Sequence, residues 1–209
     1  MAPAFTETDV RSHLTAICPV IDNVRRMVGA ARHAFNRHSP AELEELHRLF
    51  DLVAIDLEMA LEDVEADLEK PGAGDNPHLS KLKEVYTHLL FVGDHTKAMA
   101  DPIRKKMQEC QIFPDQDFMH INDLFAHLTG LLRTLVDIFK TDDPGLKKYL
   151  LKECDALTSG CFTAETEHEA RMTTSFGQPH AWGVYLGLLD LTRKILARFQ
   201  DLVKLLGAP

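Results

Sequence analysis

Ala34-Phe35-Asn36-Arg37-His38-Ser39-Pro40 and Ile138-Phe139-Lys140-Thr141-Asp142-Asp143-Pro144 stand 104 residues apart and read alike: an apolar helix end, a polar break, then a cap and a proline. Ser39-Pro40-Ala41-Glu42 places a hydroxyl at the cap, proline at the first helical position and a carboxylate that can reach back. Asp143-Pro144 repeats the cap-then-proline pattern, and so does Asn76-Pro77. Thr6 with Asp9 forms a capping box at the first helix, and Asp115 or Asp117 opens another after Pro114. Gln178-Pro179 is a weaker version of the same start. Pro71-Gly72-Ala73-Gly74 stops a helix, Gly177 precedes the last one and Gly207 follows it.

These signals divide the chain into six helices, over about 8–37, 40–69, 77–110, 117–141, 144–170 and 179–206. Tyr185, Leu189, Thr192, Leu196, Phe199, Val203 and Leu206 step by four and three, as do Leu82, Tyr86, Leu89, Gly93, Thr96, Ala100, Ile103 and Met107. Such a period keeps one seam facing its partners, which is the pattern of a helical bundle core. No stretch alternates with period two, so no sheet is expected. Pro19 and Pro102 fall inside predicted helices, where each removes a backbone bond and either kinks the helix or marks an end. Gly183 and Gly187 let another helix approach closely.

Set against itself with the shift of 104, the chain places Leu46 opposite Leu150 and Asp51 opposite Asp155. With a shift of 96, Asp94-His95-Thr96-Lys97 faces Asp190-Leu191-Thr192-Arg193, Tyr86 faces Trp182 and Leu89 faces Tyr185. The change of shift falls at Lys70–Asn76, an exposed connection where extra residues are tolerated. The expected architecture is therefore all-α: six long helices forming two tandem antiparallel three-helix bundles, over residues 1–113 and 114–209.

The net charge is −9, with 23 Lys and Arg scattered among 32 Asp and Glu, so neither nucleic acid nor an anionic membrane surface is an expected partner. No apolar run approaches the ~18 residues of a membrane span. Met1–Val10 lacks a leader pattern, so a cytoplasmic location is expected. Cys18, Cys110, Cys154 and Cys161 have neither metal-site nor disulfide spacing and read as buried thiols. No nucleophile elbow or phosphate-binding glycine loop is present, and catalysis is not expected.

Leu90-Phe91-Val92-Gly93-Asp94-His95 is similar to the Glu-Arg-Ile-Gly-Asp-His signature of the PhoU family, and Asp51 through Glu58 and Glu62 is similar to that family's Asp-Lys-x-Val-Asp-x-x-Glu stretch. The tandem layout of the whole chain resembles it too. The resemblance implies a cytoplasmic, often homodimeric regulator that modulates phosphate or related ion transport by contacting a transporter component or a sensor kinase. It also implies metal binding, to iron or another divalent ion, through acidic motifs on the third and sixth helices. Here the leading acid of each motif is replaced, by Leu90 and Leu186, while Asp94 and Asp190 remain. The candidate metal ligands are Asp51, Glu58, Glu62, Asp94 and His95 in the first half and Asp155 and Asp190 in the second. A rival reading takes Glu44-x-x-His47 and Glu165-x-x-His168 as the paired motifs of a ferritin-like di-iron bundle or metal store. That reading requires both motifs to face one core.

Overall fold

A computed structural model describes residues 5–70, 76–174 and 180–207, with the backbone alone at 171–174 and 180–182. Every regular element among them is helical: α1 (Glu7–Ala16), α2 (Cys18–Arg37), α3 (Pro40–Leu68), α4 (Pro77–Ala98), α5 (Ala100–Gln108), α6 (Asp115–Thr141), α7 (Pro144–Thr174) and α8 (His180–Leu205). The six predicted helices are thus present, two of them interrupted. Both interruptions come from proline. Pro19 and Pro102 have no N–H to give the preceding turn, so the chain pauses at Ile17 and at Met99. Each proline then sits in the first turn of a new segment, where no donor is needed.

The caps mostly behave as their chemistry requires. Asp9 accepts from the backbone N–H and the hydroxyl of Thr6 at 2.8 and 2.7 Å. Asn76 Oδ1 accepts from the N–H groups of His78 and Leu79, and Asp143 Oδ1 from those of Gly145 and Leu146. Ser39 is the exception: it stands at the cap position but makes no side-chain bond, and Glu42 lies 3.7 Å from His33 instead of reaching back. The stop at Pro71–Gly74 and the start at Gly177 to Pro179 lie outside the described residues.

The helices ending at Arg37 and Thr141 finish alike. His38 and Asp142 both take left-handed φ, 51° and 57°, a conformation that Asp and His tolerate better than most side chains. A buried lysine secures each of these turns. Lys106 donates to Phe35 O at 2.8 Å and to His38 Nε2 at 2.5 Å, and Lys147 reaches Asp142 Oδ1 and Leu206 O, both at 2.5 Å. An ammonium at a helix C-terminus satisfies orphan carbonyls and opposes the helix dipole.

The repeat shows itself in a second pair. Tyr86 OH meets His13 Nδ1 at 3.3 Å and Tyr185 OH meets His120 Nδ1 at 2.7 Å. By this contact Tyr185 plays the part of Tyr86, one turn from its place in the 96-residue alignment, while the buried Thr96 and Thr192, each bonded to the carbonyl four residues back, keep that alignment. From ring to cap the first copy spans 25 residues (His13 to His38) and the second 22 (His120 to Asp142). The longer copy is the one broken at Ile17, so the pause takes up about one extra turn.

Two-residue connections force α2 against α3 and α6 against α7 in antiparallel pairs. α4 then lies on α3, and α8 on α7. The halves join where α4 packs on α8 and α2 on α6, and one continuous apolar core runs through both, including Phe35, Leu46, Leu89, Tyr86, Leu132, Leu189 and Phe199. Among the described helices α3 touches only α2, α4 and α5, and α7 only α6 and α8. These two are the outer helices. The close-approach glycine is Gly93 of α4, where an added Cβ would stand 3.2 Å from Val53 Cγ1. At Gly187 the neighbour, Pro102, would be at an ordinary 3.6 Å.

Phe199 is fully enclosed. Phe199→Ala is expected to lower unfolding free energy by roughly 3–5 kcal/mol, measured by urea titration. Ile55→Ala, on the outer face of α3, is expected to stay within about 0.5 kcal/mol of the parent.

Candidate functional site

The sequence-predicted acids divide into three places. Asp51, Glu58 and Glu62 line the outside of α3, all exposed to solvent. Asp155 on α7 is exposed and accepts from Gln200 Nε2 at 2.7 Å. Asp94, His95 and Asp190 meet at the α4–α8 seam, where the charges of both aspartates act on the His95 ring.

The seam carries its own cations. Lys194 Nζ lies 2.8 Å from Asp190 Oδ2 and Arg193 Nη2 lies 3.6 Å from Asp190 Oδ1. Bonding to Lys194 chiefly holds the Asp190 carboxyl below its usual range. Arg193 also bonds Glu165 at 2.5 Å and covers the Phe162 ring at 4.5 Å. Arg198 lies 4.8 Å over the Phe91 ring, which stacks on His95. A hard cation needs several converging oxygens. Among the described residues no group of three or more His, Cys, Asp or Glu side chains is placed to hold one. Where a second carboxylate would be needed stand Leu90 and Leu186, and the remaining Asp190 is already neutralised by Lys194. The residues present do not fit the acidic metal cluster that the family resemblance implies.

The di-iron alternative fails on topology. Glu44 and His47 are on α3, Glu165 and His168 on α7, and these helices do not touch. His47 Nδ1 bonds Leu43 O at 2.6 Å, and Glu165 is taken by Arg193. Glu44 and His47 instead line a cleft of about 670 Å³ between α3 and α5, with Arg48, Asp51, Arg104 and Met107. Its arginines are engaged by acids, Arg48 by Glu45 and Arg104 by Asp101, both at 2.7 Å.

Sequence reasoning missed the polar cluster at the other end of His168. His168 Nδ1 lies 3.0 Å from Asp117 Oδ2, both buried, and its ring stacks on Tyr185 at 4.7 Å. With His120 on the Tyr185 hydroxyl this ties the start of α6 to α7 and α8. Asp117 had been visible only as a helix cap, because nothing local marks a carboxylate whose partner is 51 residues away. The cysteine expectation holds for Cys18, Cys154 and Cys161, whose thiols burial pushes up, the latter two to about 12 and about 11. Cys110 is instead exposed, in a left-handed turn after α5.

An all-helical chain of two three-helix copies, with no gathered reaction centre among the described residues, is the class these features define. The structure matches a crystal structure of PhoU from Pseudomonas aeruginosa with a TM-score of 0.77, over 95% of this chain and 94% of that one, at 16% sequence identity. The fold is PhoU-like throughout. No protein-family model and no curated protein sequence matches the chain. No helix among the described residues is long and apolar enough to cross a membrane.

Three histidines predict the response to acid. Burial, then Lys106, holds His38 below 6.5; burial and Arg198 do so for His88; burial, then Arg198 and Lys194, for His95. Each takes a proton less readily folded than unfolded, so the unfolded chain gains protons first as pH falls through 6.5, and stability falls with it. Tm is expected to drop between about pH 7.5 and about pH 5.5, and His88→Gln to reduce that drop. Metal analysis of the purified chain is expected to find well under one ion per molecule; a tightly held pair of irons would overturn the geometric reading of the seam.

Proposed function

We propose that this chain is a regulatory adaptor of the PhoU kind, which modulates the transport of phosphate or a related ion, and the signalling tied to it, through protein–protein contacts. The observation that carries this reading is the agreement of fold with PhoU over nearly the whole of both chains. A likeness of one helix pair would say little about function, but a full-length match brings the outer faces of both copies along with the core.

Two further features support it. The Gly93-Asp94-His95 element resembling the PhoU signature sits on α4, where Gly93 sets the distance to α3 and His95 reaches the seam with α8. The clefts between α3 and α5 and between α6 and α7 are open and floored by helix sides, surfaces suited to another macromolecule rather than to enclosing a small substrate. On this reading the chain works in the cytoplasm, pairs with a second copy of itself, and meets a transporter component or a sensor kinase.

Affinity capture with the tagged chain from its own cells, at native expression, tests the adaptor reading. The expected captive is the ATP-hydrolysing subunit of a phosphate transporter, with loss of the chain altering phosphate uptake. Capture of only a potassium or magnesium transporter would count against phosphate. Sedimentation velocity is expected to show a dimer at micromolar concentration.

A further inference from the structure

α3 is an outer helix, and its outward side is not uniformly polar. Leu52, Ile55 and Met59 are 40, 53 and 60% exposed. Spaced by three and four, they share one face and form an apolar stripe about 10 Å long. Acids bracket this stripe. Asp56 and Asp63 run along one flank, Asp51, Glu58 and Glu62 along the other. From Asp51 to Glu69 the helix carries eight acids and no Lys or Arg. Among the described residues Glu65 pairs with Lys83 and Asp67 with Lys70, while Asp51, Asp56, Glu58, Glu62 and Asp63 have no ion-pair partner.

Among the described residues α7, the outer helix of the other copy, carries no comparable apolar stripe. Its exposed large apolar residues, Tyr149 and Phe162, are thirteen positions apart on different faces, Phe162 lies under Arg193, and Glu165 beside it is paired with that same arginine. The two copies share a fold, so the combination on α3 is not imposed by packing.

We infer that the α3 stripe with its paired acidic flanks is a docking surface for a basic amphipathic helix presented by a partner protein. Such a helix would lay apolar side chains at positions i, i+3 or i+4 and i+7 along Leu52, Ile55 and Met59. Its Lys or Arg flanks would meet the five acids that have no cation of their own. Charge decides the occupant. A second copy would set acid against acid across the two-fold axis, and an anionic membrane or nucleic acid would be repelled. Methionine in the stripe gives an adaptable contact. This rests on the adaptor reading for its biological setting, but the surface chemistry stands apart from it.

The probe is a labelled synthetic helix of about 18 residues, with Leu on the i, i+3/i+4 face and Lys on both flanks. It is titrated with the full chain by fluorescence anisotropy. Saturable binding is expected below about 100 µM, weakening as salt rises. Ile55→Ser with Met59→Ser is expected to weaken it about tenfold, as is Asp56→Asn with Glu62→Gln. All four positions are exposed, and circular dichroism checks that the variants remain folded. Absence of saturable binding, equal binding of a permuted peptide of the same composition, or indifference to the Ile55/Met59 change overturns the proposal. So does loss of self-association in that variant, which would place a second copy on the face. Transporter capture undiminished by Ile55→Ser with Met59→Ser would sink this inference and leave the adaptor reading standing. Peptide binding without any transporter capture would do the reverse.

Discussion

The contact of α4 with α8 constrains everything else in this molecule. Three helices bury two of their number well only if the third shields what remains, and each copy leaves an apolar flank on its third helix. α4 and α8 cover those flanks mutually, α2 and α6 do the same beside them, and the two small cores become one. Burial at about 25 cal/mol per Å² makes this the dominant stabilising term. It also fixes what is left over. With the first and third helices of each copy turned inward, α3 and α7 are held at the outside, and their outer faces are free of packing demands.

That arrangement explains which parts of the fold were legible in the sequence. Cap-then-proline signals are local: Asn76-Pro77 and Asp143-Pro144 act on residues two and three positions ahead, so their reading requires no knowledge of the rest of the chain. Ser39 had the same signature, yet its hydroxyl makes no capping bond, and the adjacent turn is secured from the side by Lys106 of α5. A lysine reaching a carbonyl 71 residues away leaves no trace in local sequence. The same holds for Lys147 at Leu206. The 96-residue register holds at Thr96 and Thr192, both buried and each donating to the carbonyl four residues back, whereas the ring contacts, Tyr86 with His13 and Tyr185 with His120, stand one turn apart in it. Proline marked both interruptions correctly, since its missing N–H is a property of the residue itself.

The candidate site was less legible for a related reason. Acids seven and four apart on α3 do share a face, as their spacing required, but convergence needs a second helix to bring further oxygens, and spacing alone does not say which helix faces which. At the seam the outcome turns on two substitutions of chemistry. Leu90 and Leu186 remove oxygens, and Lys194 adds an ammonium 2.8 Å from the acid that remains. A cation on a flexible stem, four residues on along the same helix, neutralises Asp190. It does so with three donors and no open coordination position.

The ion pairs of the seam sharpen the contrast with α3. On the α4–α8 surface most charges have an opposite number: Asp190 with Lys194, Glu165 with Arg193, Asp201 with Arg198. Exposed pairs of this kind contribute little to stability, typically under about 1 kcal/mol, but they leave little net field for a partner to read. On the outer side of α3 five acids stand uncompensated around three exposed apolar side chains. Like charges at helical spacing destabilise a helix by a few tenths of a kcal/mol per pair, and exposed Leu, Ile and Met gain nothing from water. Neither feature helps the chain fold, and among the described residues α7 of the second copy shows no apolar stripe flanked by acids in this way. A helix that is locally less stable than it need be, at one of the two positions the core leaves outside, is where the fold has room for recognition.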